Sequence, residues 1–430
     1  MSAHVSSDFV LVILAYHHGD MQRVAIILPS ETYRANAFVE AARDLGVQLT
    51  VVSEKRQLLL TEADFLQVDL ASPMQAAADI VERHVTTPFS AIIPVDDPGV
   101  LVAAYAAHDL GLAHNHPAAV ATTREKAMLR RALRNKVPQP PFVVVERSAD
   151  AAEVAAGLKM PLVIKPLSLA ASQGVIRVDT PQEAPAAVAR IRQILACTDR
   201  NPNEPLLFER FVPGDEVAVE GVLVGGGLKV LAVLDKPDPL DGPYFEESIY
   251  VTPLRHHPEV LAEVTRITQL AIDAIGLTEG PVHAELRIDG SFVRLIELAA
   301  RPIGGLCGEA LQFGLLGTTL ETMLLRAALG MRIPEIRPYH PATGVMMLPT
   351  PSTGTFRGVS GGPEALAVAG ITKLTVSVPI GEQVESWPEG NRYLGFLFAV
   401  GQSPADVEHS LRTGFERLTI EIDERPSESA

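Results

Sequence analysis

The sequence predicts a multidomain protein that combines an α/β unit with α+β units. Its 430 residues exceed the usual size of one hydrophobic core, so several structural units are expected. Strand and helix patterns alternate over residues 1–121, whereas strand patterns follow one another between Leu206 and Leu298. Alternation indicates a parallel sheet covered by helices on both faces, and successive strands indicate antiparallel pairing.

The N-terminal alternation begins with a buried strand pattern at Arg23–Leu28. A helical pattern follows at Tyr33–Leu45, Gly46 ends it, and a second strand pattern covers Gln48–Ser53. The segment PSETYRAN after the first strand lacks the glycines that let a backbone approach a pyrophosphate. We therefore expect a Rossmann-like scaffold without a dinucleotide, which excludes a nicotinamide dehydrogenase.

A basic helix and a small-residue loop mark the next unit, residues 122–205. Thr122 and Glu125 have capping-box spacing, which predicts that a helix starts there and runs to about Asn135. The strand pattern Leu162–Lys165 then leads into a loop of small residues and a second strand pattern, Val175–Val178.

Antiparallel strands and a small C-terminal unit follow, at residues 206–338 and 339–430. Val217–Val224 and Leu228–Leu234 flank three glycines, which favours a hairpin turn over a phosphate loop. The last helix is predicted to begin near Ser403, where serine caps and the next residue is proline.

Charge and hydropathy narrow the classes of partner. A net charge of −16 argues against nucleic acid or an anionic membrane surface, so small-molecule substrates are expected. The apolar run Phe9–Tyr16 is too short to span a membrane and lacks the flanks of a signal peptide. We therefore expect a cytoplasmic protein, and a homodimer stays open.

Two cysteines, Cys197 and Cys307, are too few for a disulfide framework, which fits a reducing compartment. Cys307 lies close in sequence to candidate site residues, so a catalytic thiol has to be considered. Because no base partner follows it, we interpret Cys307 as a small buried neighbour.

Two lysines are candidate phosphate ligands. Lys165 ends an apolar strand pattern, where a lysine is costly to bury without an anion. The loop Ser168–Gly174 that follows is small and polar, so Ser172, Gly174 and their neighbours could close over phosphate oxygens. Lys126 lies on the basic helix, and taken alone it would be interpreted as a solvated charge.

A compact acidic segment, Phe208–Glu216, is the third feature. Backbone groups near Phe211 and Val212 could recognise an adenine edge, and Glu216 could accept hydrogen bonds from ribose hydroxyls. A surface turn would explain the Pro-Gly pair between them but not the flanking acids, Glu209 and Glu216.

Glu285 and Glu297 lie on two apolar strand patterns twelve residues apart. Two acids entering a core would repel each other unless a cation lies between them, and hard oxygen ligands indicate Mg2+ bound with nucleotide phosphates. A two-residue turn at Asp289-Gly290 would place the two acids on opposite faces of the sheet. An odd-length connection centred on Ser291 would place them directly opposite each other.

This order of features resembles the ATP-grasp superfamily over nearly the whole chain. Within it, the sequence is most similar to the L-amino acid ligases, which are dipeptide synthetases. The resemblance implies a Rossmann-like domain, an ATP-grasp lid and core, and a C-terminal α+β domain. It is carried by Lys126, Lys165 and its loop, Glu209, Glu216, Pro281–Glu285, Glu297, Ala300–Gly305 and Tyr393–Phe396.

The resemblance also implies a mechanism. Lys126 and Lys165 would neutralise ATP phosphates, while Glu285 and Glu297 would hold Mg2+, with Mn2+ as an alternative. An acyl phosphate would form and an amine would displace phosphate, with Arg301, Gly304 and Gly305 stabilising the oxyanion. A structural ion pair is the alternative for Arg301.

The expected substrate contacts are Glu246 for an ammonium and His283 or Arg287 for a carboxylate. Two departures stand out. Ala299 replaces the asparagine that many members carry, and Gly174 is the single glycine of the phosphate loop. Another ATP-grasp reaction, biotin-carboxylase-like or purine-pathway-like, and a silent nucleotide-binding subunit are the alternative functions.

Overall fold

The N-terminal unit is a parallel α/β sheet, as predicted. The computed structural model describes residues 22–30, 32, 34–56, 63–198 and 200–424, so the run Phe9–Tyr16 lies outside it. The strands have the order β3-β2-β1-β4, and all three pairings are parallel. The elements are β1 (Arg23–Ile27), α1 (Ala35–Leu45), β2 (Gln48–Ser53), β3 (Asp64–Gln67), α2 (Pro73–Thr86), β4 (Ala91–Pro94) and α3 (Val100–Leu110).

Two short helices, α4 (Pro117–Arg124) and α5 (Lys126–Leu133), lead out of this unit. The predicted capping box at Thr122 is wrong, because Pro117 already starts a helix that contains Thr122. Glu125 caps α5 instead, and its carboxylate accepts the N–H of Ala127 at 2.8 Å. This cap makes Lys126 the first residue of α5.

A four-stranded antiparallel sheet, which we call the lid sheet, comes next. Its order is β5-β8-β6-β7, and two helices pack against it. Since β8 belongs to this sheet, the change of sheet falls after Arg210, a few residues beyond the boundary expected at 205. The elements are β5 (Phe142–Val145), α6 (Ala151–Ala156), β6 (Leu162–Pro166), β7 (Ile176–Val178), α7 (Ala184–Cys197) and β8 (Leu206–Arg210).

The largest sheet of the fold has eight strands in the order β13-β12-β9-β10-β11-β16-β20-β18. Its last three strands in this order, β16 (Ala342–Leu348), β20 (Gly395–Gly401) and β18 (Ile371–Val376), come from the C-terminal region. The hairpin predicted at the three glycines is confirmed, with Gly225 and Gly226 between its strands. The elements in the first half of this region are β9 (Asp215–Val224), β10 (Gly227–Lys236), β11 (Ile249–Thr252), α8 (Pro258–Ile275), β12 (Gly280–Asp289), β13 (Phe292–Ala299), β14 (Gln312–Phe313), β15 (Thr318–Thr319) and α9 (Leu320–Ala328).

The C-terminal region contributes three strands to the same large sheet, so it continues the sheet while also forming a small one of its own. The small sheet has the order β19-β17-β21. Ser403 caps α11 with a capping box to Asp406, close to the predicted start. The elements are β16 (Ala342–Leu348), β17 (Gly354–Ser360), α10 (Gly362–Leu366), β18 (Ile371–Val376), β19 (Gln383–Val384), β20 (Gly395–Gly401), α11 (Pro404–Phe415) and β21 (Thr419–Glu424).

A β-bulge sets the register between β12 and β13. Gly290 and Ser291 form the turn, and Leu286 pairs with Leu295, yet Glu285 pairs with Glu297. Ile296 is the extra residue, and it changes the parity of β13 from that point onward. The two acids therefore lie directly opposite each other. The sequence had suggested either a two-residue turn at Asp289-Gly290 or an odd-length loop. The observed connection is neither of these, because it combines a two-residue turn with a bulge.

Two apolar clusters cover the two faces of the large sheet. One joins it to α1, β1 and α9, and the other joins it to α3, α5 and α8. Arg34 and Glu321 tie α1 to α9 through a 2.9 Å ion pair with side chains only 2% and 4% exposed. No helix among the described residues is long and apolar enough to cross a membrane.

Glu321→Ala should lower the free energy of unfolding by about 3–5 kcal/mol, because it leaves the buried Arg34 without its counter-ion. Denaturant unfolding monitored by circular dichroism measures the change. Glu263→Ala is the matched control, since Glu263 pairs with Arg266 on the exposed face of α8. Equal effects of the two substitutions would contradict the prediction.

Candidate active site

A cleft of about 690 Å³ lies between the lid sheet and the large sheet, and we call it the first cleft. The sequence-predicted residues on its wall are Lys126, Lys165, Ser172, Glu209, Phe211, Val212, Glu216, Glu285, Arg287 and Glu297. The structure thus gathers most of the predicted nucleotide and metal residues around one space.

One end of the first cleft is apolar. Val163, Val175, Phe211, Leu240 and Phe245 pack as one cluster, and all five line the cleft. The residues come from both the lid sheet and the loop after β10. Such an apolar slot suits a planar ring, which agrees with the predicted adenine position.

The lid side of the cleft carries a buried cation cluster. Lys165 lies 2.8 Å from the Glu209 carboxylate, and Arg130 on α5 also donates to that carboxylate. Burial alone would raise the pKa of Glu209, but Arg130 and Lys165 lower it to about 2. Glu209 therefore stays ionised and holds Lys165 in place, and it is buried rather than open to ribose or adenine.

Lys126 faces the same space from the start of α5. Its ammonium donates to the carbonyl of Leu169 in the small-residue loop. Burial and the nearby Lys165 lower the pKa of Lys126, whereas Glu297 raises it. An anionic ligand in this space would add a counter-charge close to both lysines.

The loop between β6 and β7 has an unusual backbone. Ala171 and Ser172 both have positive φ angles, 53° and 57°, as does Gly174 at 70°. A left-handed conformation costs a non-glycine residue roughly 1–2 kcal/mol, so neighbouring contacts have to hold it. The N–H of Gly174 is used in such a contact, because it donates to the carbonyl of Pro388 at 2.9 Å.

The floor of the cleft is a charge cluster around Lys236. This ammonium, 3% exposed, lies 2.7 Å from Glu216, 2.5 Å from Glu247 and 3.2 Å from Glu285. Burial opposes the charge, but the three acids raise the pKa of Lys236 well above its usual value. The other oxygen of Glu216 accepts from Arg287 at 2.7 Å. Both Glu216 oxygens are thus paired with cations.

Sequence analysis did not identify Lys236 or Glu247. A signal for Lys236 exists, because Lys236-Pro237 ends an apolar strand in the same way as Lys165-Pro166. The sequence carries no comparable signal for Glu247, because it lies in a loop directly after another glutamate, Glu246. No periodic pattern there indicates which of the two side chains faces the cleft.

A second cleft of about 1030 Å³ adjoins the first. Six residues line both clefts, namely Ala170, Ala171, Ser172, Glu247, Glu285 and Glu297. His283, Arg301, Gly304 and Gly305 line this second cleft but not the first. Glu297 therefore lies between Lys126 and Lys165 on one side and Arg301 on the other. The two groups of predicted residues meet at the two opposed acids.

Arg301 is anchored by the N-terminal unit. Its Nε lies 2.9 Å from Asp97, which also contacts Arg124 at 2.5 Å. Burial would lower the pKa of Arg301, but Asp97 and Glu297 raise it. Asp97, which sequence analysis did not identify, thus makes the structural ion pair that was the alternative for Arg301. The ion pair leaves Arg301 on the cleft wall, so its catalytic role stays a prediction.

His283 and Cys307 are two further titratable groups on this wall. Burial opposes the charge of His283, but Glu220 and Glu285 raise its pKa to about 9. Burial raises the pKa of the Cys307 thiol, whose sulfur contacts the sulfur of Met347. A thiolate nucleophile is disfavoured, in agreement with the interpretation of Cys307 as a buried neighbour.

Two predicted substrate residues do not reach the second cleft. Arg287 lines the first cleft, and its guanidinium donates to Glu216 and to the carbonyls of Gly214 and Leu240. Glu246 lines neither cleft, and its buried Oε1 has no hydrogen-bond partner within the described residues. Its neighbour Glu247 lines both clefts.

The acids fit a divalent metal. Glu285 and Glu297 are opposed across one strand pair and line both clefts, and their oxygens are hard ligands of the kind Mg2+ prefers. Carboxylate oxygens of Glu216, Glu247 and Glu285 also lie within 4.8 Å of one another, but the Lys236 ammonium lies among them, at 2.5–3.2 Å from all three. The pair Glu285 and Glu297 is therefore the better candidate.

Comparison with known families agrees with this architecture. An ATP-grasp N-terminal domain matches residues 39–114, an ATP-grasp domain matches 158–310, and L-amino acid ligase C-terminal domain 2 matches 346–423. The chain belongs to the ATP-grasp superfamily, whose members bind ATP with a divalent metal. Within that superfamily it resembles the L-amino acid ligases.

Individual relatives are more distant. Human carnosine synthase 1 is 27% identical over 68% of this chain, which spans 38% of the length of that relative. The crystal structure of L-amino acid ligase from Bacillus licheniformis superposes with a TM-score of 0.77 at 24% identity, covering 94% of this chain and 99% of the other.

N5-carboxyaminoimidazole ribonucleotide synthetase from Thermotoga maritima has a TM-score of 0.69 at 15% identity, covering 94% of this chain and 100% of the other. At these identities the solved structures establish the fold alone. The predicted ATP-grasp superfamily is confirmed, and the C-terminal domain match agrees with the predicted resemblance to the L-amino acid ligases.

Glu246→Gln should raise the free energy of unfolding above that of the wild type at about pH 8, and this gain should be smaller at about pH 5. Burial raises the pKa of Glu246 to about 7, against 4.5 for the ordinary group. Between pH 4.5 and pH 7 the Glu246 carboxyl is ionised in the unfolded chain but protonated in the folded one. The free energy of unfolding of the wild type therefore falls as the pH rises through this range, and the loss is complete above pH 7.

Denaturation midpoints across this pH range test the effect. The exposed Glu385→Gln should give the same curve as the wild type, with no pH-dependent difference. A Glu246→Gln curve that also runs parallel to the wild type would mean that Glu246 is ionised in the fold.

Proposed function

We propose that the chain is an ATP-dependent C–N ligase that joins amino acids or similar substrates into an amide, releasing ADP and phosphate. One observation carries the proposal. Two clefts meet at Glu285 and Glu297, with Lys126 and Lys165 on one side and Arg301 on the other. This arrangement provides for phosphate at the junction and for a reacting carboxylate beside it.

ATP would occupy the first cleft. Its purine would lie in the slot beside Phe211, and its phosphates would extend toward Lys126, Lys165 and the loop at Ser172. Charge-assisted contacts to phosphate contribute roughly 1.5–3 kcal/mol each, so two lysines account for much of the binding. Filling the space between the lysines also relieves their mutual repulsion.

Mg2+, or Mn2+, would be held by Glu285 and Glu297. When bound, it supplies positive charge to the phosphoryl oxygens that gain charge during transfer. The chain's own contribution is to hold the two carboxylates opposed at the bulge. Ala299 leaves no side-chain oxygen on that strand to assist them.

In the proposed reaction, a carboxylate oxygen in the second cleft attacks the γ-phosphorus, and the bond to the β-phosphate oxygen breaks. An amine nitrogen then attacks the acyl carbon, phosphate leaves, and the amine loses a proton. Arg301, fixed by Asp97, would stabilise the developing oxyanion, with the backbone of Gly304 and Gly305 beside it.

Amino acids are the favoured substrates. Both the C-terminal family match and the names of the relatives support amide formation between amino acids. The wall of the second cleft carries charges of both signs, from Glu247 and from His283 and Arg301. The acid would pair with the ammonium of an amino acid and the cations with its carboxylate. A cytoplasmic location, where ATP is available, agrees with the cysteine content.

Phosphate release with pairs of amino acids tests the function. Release should require ATP, a divalent metal and amino acids together, and Glu297→Gln should abolish it while retaining the fold. Metal-independent release, or release unchanged in Glu297→Gln, would contradict the metal assignment. Release with bicarbonate in place of amino acids would favour the carboxylating alternative, and ATP binding without any release would favour a silent subunit.

Arg301→Lys should lower kcat by about 100- to 1,000-fold with little change in ATP affinity, because a point charge cannot reproduce a planar oxyanion contact. Asp97→Asn is the control for the ion pair, and it should lower kcat less because the guanidinium remains. Activity assays and calorimetry with ATP measure the two effects. A larger loss in Asp97→Asn would make Arg301 a structural residue.

A further inference from the structure

The segment Trp387–Tyr393, between β19 and β20, contacts the phosphate loop at one end and lines the second cleft at the other. We call it the latch segment. Its interpretation rests on the proposed function, because that function assigns ATP to the first cleft and a second substrate to the adjoining one. Nothing in the local sequence pattern identifies it, since its partners are more than 190 residues away.

The latch segment holds the loop after β6 through several hydrogen bonds. The indole N–H of Trp387 donates to the carbonyl of Ala171 at 3.2 Å, and Gly174 N–H donates to Pro388. The side chain of Gln173 donates to the carbonyl of Glu389 at 2.6 Å. Three consecutive latch residues thus bind the loop.

These contacts act where the loop backbone is strained. Ala171 and Ser172 have left-handed conformations that isolated alanine and serine avoid. Without external partners the loop would relax into another conformation. The latch segment therefore determines whether the loop keeps the shape in which it closes the first cleft.

An ion pair joins the latch segment to the rest of the lid. Arg190 on α7 makes two hydrogen bonds to the Glu389 carboxylate, at 2.6 and 3.0 Å. The pair is more than a third exposed, so it contributes modestly. It nevertheless connects the lid helix to the same segment that holds the loop.

The other end of the latch segment forms part of the second cleft. Asn391, Arg392 and Tyr393 line that cleft, and none of them lines the first. The Tyr393 ring stacks on Trp387 at 5.0 Å between centroids. A ligand that fixes Tyr393 would therefore fix Trp387 and, through it, Ala171.

We propose that the latch segment couples the two clefts: filling the second cleft stabilises the closed phosphate loop, and bound nucleotide stabilises the wall of the second cleft. Trp387, Gln173 and Glu389 are positioning residues in this scheme, acting on the loop rather than on the reacting atoms. The coupling is reciprocal, because both ligands favour the same closed state.

The coupling predicts that a change in the second cleft alters nucleotide binding. Tyr393→Leu should weaken binding of the non-hydrolysable Mg2+ complex of adenylyl imidodiphosphate by about 2- to 10-fold, which is the effect of one lost aromatic contact. Tyr393→Phe keeps the ring and should bind the analogue like the wild type. Calorimetry measures both affinities.

Tryptophan emission provides a second readout, because Trp387 is the single tryptophan of the chain. Acrylamide quenching should decrease when the analogue binds, as the latch segment opens less often. Glu389→Gln should raise quenching in the nucleotide-free protein and weaken analogue binding by about 2- to 5-fold. Glu385→Gln, an exposed carboxylate four residues earlier, is the matched control and should change neither.

Two results would overturn the proposal. One is an analogue affinity unchanged by Tyr393→Leu in a folded variant. The other is wild-type Trp387 quenching that stays constant while calorimetry records nucleotide binding. Neither measurement uses turnover or an amino acid, so failure here leaves the ligase function untouched. A failed amino-acid screen likewise leaves this test intact.

Discussion

The single extra residue at Ile296 determines how the site is built. Side chains alternate along a strand, so without the bulge Glu297 would lie on the opposite face from Glu285. Its carboxylate would then point away from Lys126 and from Arg301. The meeting of the two clefts at a pair of opposed acids depends on this local irregularity in an otherwise regular hairpin.

Buried charges in this protein are arranged in compensated groups. Glu209 is matched by Arg130 and Lys165, Lys236 by three acids, and Arg301 by Asp97. Each group holds a side chain of the proposed site in position, which would limit the reorganisation that ligand binding requires. Among the described residues, two differ from this pattern: Glu246 has a buried oxygen without a hydrogen-bond partner, and Lys126 lies near another lysine.

Local patterns predicted most of the elements, and they selected candidate site residues that line the clefts. Lys165, Glu285 and Glu297 interrupt apolar strands, and such interruptions are visible in a sequence. Features that depend on distant pairing were not predictable. The Ile296 bulge is a property of two strands, and the role of Asp97 depends on contact with Arg301 across 204 positions of chain.

Local competition explains the remaining differences. Thr122 has the spacing of a helix cap, but the proline at position 117 starts a helix earlier and leaves the capping role to Glu125. The choice between Glu246 and Glu247 depended on which of two adjacent acids faces the cleft. Alternation cannot decide this in a loop, because a loop has no fixed period.

The continuous eight-stranded sheet makes the C-terminal region inseparable from the catalytic one. β11 is four residues long and pairs with β16 along all of them. Removing the C-terminal strands would leave an unpaired row of N–H and C=O groups in the middle of a hydrophobic layer. Such an edge recruits other chains, so a protein shortened at that point would be expected to self-associate rather than persist as a smaller enzyme.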